Sequence, residues 1–553
     1  MNQHQAPESA ETPVRAEGVW SPLTSRVFSV VLFTNLFTML AVFMNGTAGA
    51  WILTDITDSP STVAALQIAV ALPTFLLALI AGAMADIASR KRIVLLAQGG
   101  SVIVAAAFAL LAATDSHTIV SILGLTAALG VLTALAAPAW LAAIPGLVPR
   151  FDLAGAMTLS SAGVSTAMAV GPAVAGFVIA GAGPTAVFTL NALVFAGGMV
   201  ALRYWQPKPR SGLPAEHMVS AIRVGVQYVW YDKPLRVVIG KVVPFAFAVT
   251  ALIALLPAVA RFKLEAGPAV FGLLAGAGGI GAVLALLVIP RVRKRFGPDT
   301  IVLLAMLVEA GVLAVLATTS NLLVAFAVLV VAGGMTLAII STLMTALQVV
   351  LPAWIRGRGV AVYLLVLQGS FALGAVVWGL VGERTNLETA LLSAGAAMAV
   401  GAVVVFPLRL GRHMDRDTEP VHLVDVPTVT SVHDDDGPIL LTATWDIAPE
   451  RRAEFVKAME PVRRALRRQG ALSFRLAEDV ENPGRILESF TLATWSEYMR
   501  LPERAIATDQ ETHDALLVAA NTETPGLIAH RVIDTRTAQI IETTKSKEPN
   551  SDT

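Results

Sequence analysis

Twelve times between residues 27 and 410 the chain runs for about twenty residues with almost no charge, the length of helix that crosses the hydrocarbon of a bilayer. The stretches lie near 27–52, 62–84, 93–113, 118–144, 156–180 and 184–203. After a more polar segment at 204–234 they resume near 235–258, 267–290, 300–318, 321–345, 359–382 and 388–410. Nothing else limits the fold as much, because backbone passing through lipid must satisfy its own hydrogen bonds, and stretches this long do so as α-helices. Composition agrees: 14% of residues are charged and 55% hydrophobic, against about a quarter charged in soluble domains. The expectation is an all-α membrane protein of twelve transmembrane helices.

The zero formal charge hides two bodies. Residues 1–410 hold 23 Lys/Arg and 15 Asp/Glu, and residues 411–553 hold 17 and 25, so +8 is balanced by −8. A basic, charge-poor membrane part therefore precedes an acidic, charge-rich soluble part. The chain has no cysteine, which excludes disulfides, thiolate metal sites and cysteine nucleophiles. Residues 1–26 lack an apolar core with a cleavage site and read as a disordered cytoplasmic tail. Alternate loops carry the cations: Arg90, Lys91 and Arg92; Arg150; Lys208, Arg210, Arg223, Lys233 and Arg236; Arg291, Arg293, Lys294 and Arg295; Arg356 and Arg358. The intervening loops hold Arg261, Lys263 and Arg384 among acids such as Asp55, Asp58, Asp115 and Glu388. Short-loop positive charge marks the cytoplasmic face, so both termini are expected in the cytoplasm.

The two sets of six are related. Ile93-Val-Leu-Leu-Ala97 recurs as Ile301-Val-Leu-Leu-Ala305, and Pro149, Gly171 and Gly176 recur at identical spacing as Pro352, Gly374 and Gly379. A duplicated six-helix unit follows, 27–203 and 235–410 joined by a linker at 204–234, and in transporters such a repeat puts the substrate route between the halves.

Gly411 to Gly437 is polar, contains Pro420, Pro427 and Asp434-Asp-Asp436, and reads as a second linker. Residues 438–535 then alternate like a compact domain: a strand at Ile439–Ile447, a helix at Pro449–Arg468, strands at Ala471–Val480 and Arg485–Trp495 around the turn Asn482-Pro-Gly484, a helix at Ser496–Ala520 and a last strand at Leu527–Ile533. The order βαββαβ predicts an α+β ferredoxin-like fold, with a disordered tail at 536–553. His513 and His530 have no metal-ligand spacing, and there is no GxxxxGK[ST] loop for ATP. No cofactor, metal or nucleic acid is expected; the partners expected are the bilayer and a small-molecule substrate.

Certain residues stand out against this background. Gly82-x3-Asp86 leads into Arg90-Lys91-Arg92 between the second and third spans. A carboxylate there can pair across the halves in one conformation only, as a latch; the alternative is a topology anchor. Gly163-x3-Ala167-x3-Gly171-Pro172-x2-Ala175-Gly176 brings small residues to one face of the fifth span, where backbones can touch. Glu309, near the middle of the ninth span, is an intramembrane acid: either a proton site or a protonated structural group. Asp55, at the outer end of the first span, is a second acid that could hold a proton or ion. Lys241 is expected to snorkel to the cytosolic surface.

The Gly82/Asp86/Arg90-Lys91-Arg92 loop resembles the signature of the major facilitator superfamily, and the fifth-span motif resembles that of its antiporters. With Trp51-Ile-Leu-Thr-Asp55-x2-Asp58-Ser-Pro60, Ala69-x3-Pro73 and Val148-Pro149-Arg150, residues 20–410 resemble the transmembrane secretion effectors, among them enterobactin-exporter-like proteins. The resemblance implies the two-bundle fold, a bacterial inner membrane, and proton-coupled export of drug- or siderophore-like molecules by alternating access. In that fold spans one, four, seven and ten line the cavity, which would place Asn35, Asn45, Trp140, Phe245 and Gln348 there; such apolar and aromatic walls suit an amphipathic substrate. Import of similar compounds is the alternative within this class. Gly437-Pro438-Ile439, Arg468-Gln-Gly470-Ala471, Glu488-Ser-Phe490 and Ser496-Glu497 resemble antibiotic-biosynthesis monooxygenases, small dimeric enzymes that need no metal. Tyr498 and Pro502 stand where that resemblance leads one to expect histidines, so the domain is expected to dock, dimerise or sense rather than catalyse. A membrane-tethered oxygenase is the rival reading.

Overall fold

Capping side chains set where the helices begin. In a computed structural model, which describes residues 20–87, 89–205, 218–352, 354–410, 436–482, 484–521 and 532–533, Ser25 opens α1 (Arg26–Ile56) by accepting from the Phe28 N–H. Thr118 opens α4 (Ile119–Ala143) in a reciprocal capping box with Ser121. Asp232, Asn321 and Asn386 do the same for α7 (Lys233–Ala258), α10 (Leu322–Val350) and α12 (Leu387–Val405). Between them lie α2 (Pro60–Ile87), α3 (Arg90–Ala113), α5 (Leu153–Ala201), α6 (Met218–Tyr231), α8 (Pro268–Arg293), α9 (Pro298–Thr318) and α11 (Arg356–Arg384).

Among the described residues, eleven helices are long and apolar enough to cross a membrane, all of these but α6. The expected fifth and sixth stretches run on as the 49 residues of α5. A straight rod of that length would reach about 74 Å, far beyond the roughly 30 Å hydrocarbon layer. It is broken at Gly183, whose φ of 77° and ψ of 170° are not helical; that left-handed region favours glycine, and Pro184 restarts the second arm. Leu96, Ile103, Val120, Leu193 and Leu323 project from the outside of the bundle, a surface suited to lipid rather than water.

Packing repeats between the two sets. α1 packs on α5 as α7 does on α11; α2 on α4 as α8 on α10; and α3 on α4 and α5 as α9 on α10 and α12. The first arm of α5 meets α1 at Gly171, against Phe43. The second meets α3, where Phe108 and Phe188 stack at 4.7 Å.

Two expectations change here. The segment 204–234 is not simply a linker, because α6 forms within it: Val224 and Tyr228, four residues apart, are buried on one face while Trp230 is exposed on the other. Lys241 does not snorkel. It is 1% exposed, with Nζ 3.1 Å from Asp299 Oδ1 and donating to the Val405 carbonyl at 3.0 Å. That carbonyl closes α12, where unpaired oxygens attract a cation.

The soluble part is a four-stranded antiparallel sheet in the order β2-β3-β1-β4, from β1 (Ile439–Asp446), β2 (Ser473–Glu478), β3 (Arg485–Leu492) and β4 (Val532–Ile533). The other residues expected in the last strand lie outside the described residues, as does the linker at 411–435. Helix α13 (Arg452–Gln469) covers the sheet with Phe455 and Met459 buried, and stops at Gly470, where φ is 121°. The expected helix at Ser496–Ala520 is divided into α14 (Trp495–Met499), α15 (Leu501–Arg504) and α16 (Ala507–Ala520). Pro502 cannot continue a helix, and Thr494 caps α14.

In the core of this domain Glu488 is buried and accepts from the Trp445 indole N–H at 2.9 Å. Burial pushes its carboxyl above the usual 4.5, against the opposing pull of that hydrogen bond. The protonated acid is therefore favoured more in the folded domain than in the unfolded chain. The resulting stability is present below the unfolded pKa and is lost as pH rises through the folded value. Hydrogen exchange of β1 and β3 in the full-length protein, corrected for intrinsic rates, should show opening free energy falling with rising pH; Glu488→Gln should flatten that dependence.

Candidate functional site: the seam between the bundles

The two sets meet along two symmetric seams, α5 against α8 and α2 against α11. The fifth-span motif divides its work. Gly163 and Gly171 face α1, near Leu36 and Phe43, but Gly176 faces the other bundle: a Cβ built there would lie 2.5 Å from the Pro268 carbonyl oxygen and 2.8 Å from the Gly272 Cα. A Cβ built on Gly276, one turn further along α8, would lie as close to the Ala169 carbonyl oxygen, at 2.5 Å. Pro172 is buried beside this seam. The antiporter-like stripe is thus, at one end, where the bundles touch backbone to backbone. The α8 side went unremarked in sequence, although Gly272-x3-Gly276 was a readable small-residue signal.

At the face opposite α6 the halves are joined by charge. Asp55, at the end of α1, forms an ion pair with Arg261, whose Nη2 lies 3.0 Å from its Oδ1. Arg261 lies in the π-helical turn Val259–Lys263 that closes α7, with its guanidinium 5.2 Å from the centre of the Trp51 ring. Trp51 in turn stacks on Phe271 of α8 at 5.8 Å. Nothing in the linear sequence pairs Asp55 with Arg261, which lies 206 positions away.

On the α6 face, Gly82 and Asp86 lie in the last turns of α2, with the Asp86 side chain outside the described residues. Lys91 donates to the Arg203 carbonyl at 3.1 Å, within the first set; Arg90 is half-buried and Arg92 exposed. Glu309 is fully buried between α9 and α10, away from the seams; its Oε1 accepts from Thr336 Oγ1 at 2.6 Å, and its Oε2 has no hydrogen-bond partner among the described residues.

The proposed lining residues are dispersed. Trp140 packs with Ile93, Val94 and Ala97 in the first bundle, and Phe245 lies in the core of the second. Asn45 is buried with Oδ1 unpartnered among the described residues, Asn35 is half-buried and Gln348 exposed. Sequence reasoning missed Asn191, fully buried with both amide atoms unpartnered among the described residues.

Bundles related by a repeat and touching along two seams can rock about those seams. A family model described as transmembrane secretion effector matches residues 17–538. No curated protein matches the sequence. Among solved structures, a POT family transporter in complex with 5-aminolevulinic acid superimposes with a TM-score of 0.58 at 12% identity, over 69% of this chain and 95% of its own. The nucleoside transporter NupG gives 0.54 at 13%, over 69% and 99%. A bacterial homologue of the human lysosomal transporter Spinster, inward-facing and unoccupied, gives 0.52 at 15%, over 70% and 98%. The seams, the repeat and the family match together place this chain in the transmembrane secretion effector family, as a multi-pass membrane transporter of the major facilitator type.

Proposed function

We propose that this transporter exports amphipathic small molecules, drug- or siderophore-like, from the cytoplasm across a bacterial inner membrane by alternating access, in exchange for protons. The observation that carries the outward direction is the secretion-effector match over residues 17–538. Taking Gly183 as the bend between two crossings makes twelve spans with both termini cytoplasmic, and the cations of the Arg90–Arg92 and Arg291–Arg295 loops support that orientation. Asp55 and Arg261 then close the outer side, and Asp86 is the latch of the inner side. The soluble domain is ferredoxin-like by its element and strand order, and non-catalytic: Tyr498 is buried against Trp495. Self-association of two soluble domains would use the sheet face that carries Thr442, Leu487 and Ser489.

The test is efflux of a fluorescent dye or a siderophore from cells with and without the protein, and flux in vesicles of known sidedness. Net outward flux is expected; inward flux supports the importer reading. Asp86→Asn should lower efflux by about fivefold or more, as the loss of a 1–3 kcal/mol conformational bias implies; unchanged efflux removes the latch. Glu309→Gln keeps an acceptor for Thr336 but cannot titrate. It should uncouple efflux from the pH gradient, whereas full gradient-driven efflux would leave Glu309 a structural role. Oxidation of an aromatic compound by the full-length protein without added cofactor would favour the tethered oxygenase.

A further inference from the structure

The soluble domain is held to the membrane body by more than its linker, through contacts that reach α6 and the second bundle. Arg223 of α6 meets Glu497 at 2.5 Å, and Gln227 donates to the Ala471 carbonyl at 2.7 Å. Arg468 is 9% exposed. It lies between Asp509 of its own domain and Asp232, the cap of α7, 3.4 Å away, with its guanidinium 5.7 Å from the Tyr228 ring centre. Arg504 sits 5.2 Å from the ring centre of Trp354, in the turn between α10 and α11. Trp354 meets Tyr228 edge-on at 5.7 Å.

The position of α6 makes these contacts consequential. It joins the two bundles in sequence and packs on α2 of the first as well as on α7 and α11 of the second. When α2 and α11 part on this face, α6 can stay with only one of them. Asp232 ties the domain to the first turn of α7 while its other oxygen caps that helix by accepting from the Leu235 N–H at 3.2 Å. A buried cation between two acids resists separation, because removing one member leaves uncompensated charge. The contact of α6 with α2 has no such clamp among the described interactions.

We propose that the soluble domain is a brace: it fixes α6 to the second bundle, so that soluble domain, α6 and α7–α12 move as one body and the inner side opens between α6 and α2. This goes beyond the export reading but rests on its premise that the bundles move relative to each other.

Because the chain lacks cysteine, spin labels can be placed without background on exposed Lys457, Arg295 and Tyr204 in the full-length protein. Distances by pulsed electron resonance should give one narrow distribution for Lys457→Cys/Arg295→Cys, soluble domain to second bundle. Lys457→Cys/Tyr204→Cys and Arg295→Cys/Tyr204→Cys, both to the first bundle, should be broad or double. Arg468→Glu should broaden the first pair; Arg223→Glu should do so as well, and adding Glu497→Arg should restore the narrow distribution. The brace is overturned if the first pair is as broad as the second, or if Arg468→Glu leaves it unchanged. If the pair joining the two bundles is itself single and narrow throughout, alternating access fails and takes the brace with it. If that pair is broad while both pairs from the soluble domain are alike, only the brace fails.

Discussion

Gly176→Leu should abolish most transport while leaving the protein folded in the membrane. The site admits no side chain, because the nearest atoms are the Pro268 carbonyl oxygen and the Gly272 Cα, which cannot rotate away as a side chain can. Overpacking costs about 1–3 kcal/mol, which as a conformational bias is a factor of about 5–150 in population. The penalty falls on states in which α5 and α8 are in contact, so the equilibrium shifts and flux falls. Gly181 is the control. It lies in the same helix but has open space around it, so Gly181→Leu should transport normally. Efflux rate, read beside the amount of protein extracted in mild detergent, checks the pair; equal activity in both variants would remove the seam from the mechanism.

The second large effect is expected from joining Asp55→Cys to Arg261→Cys with a short, cleavable thiol reagent that does not cross the membrane. Transport should stop when the link forms and return when it is cleaved. The native contact is far weaker. Both side chains are more than two-fifths exposed, and such pairs contribute about 0–1 kcal/mol, with about 0.5–1 kcal/mol more from the cation lying over Trp51. A contact of that strength opens thermally, as a gate must, so Asp55→Asn alone should change the rate only a few-fold. Continued transport with the link intact would show that these ends never separate. Either single cysteine treated with the same reagent should retain activity.

Much of this protein was legible in order along the chain. Each span reads from an apolar stretch, and the four strands and main helices of the soluble domain from alternation and turn residues, because those signals are local. The exceptions are local too: with Gly183 followed directly by Pro184 and no polar loop, the stretches read at 156–180 and 184–203 run on as one broken helix, and α6 is amphipathic for only four turns within a polar segment. What could not be read depends on residues that are distant in sequence. Asp55 and Arg261 look like ordinary loop charges until α1 and α7 are placed side by side. Lys241 looks able to reach water until α9 brings Asp299 to it. Arg223 looks like one more positive loop residue until Glu497, 274 positions away, stands opposite.

The ion pair of Lys241 and Asp299 also constrains how the molecule is made. Lys241 lies about 12 Å along α7 at 1.5 Å per residue, and helices enter the bilayer in the order of synthesis. Between the arrival of α7 and that of α9 the cation lacks its acid, and it must either reach back toward the membrane surface or stay at depth, which translocon scales set at about 2.5–3.5 kcal/mol near the helix centre. The second bundle is thus least stable halfway through biogenesis. A ribosome stalled between α8 and α9 should leave α7 prone to slip back out of the membrane.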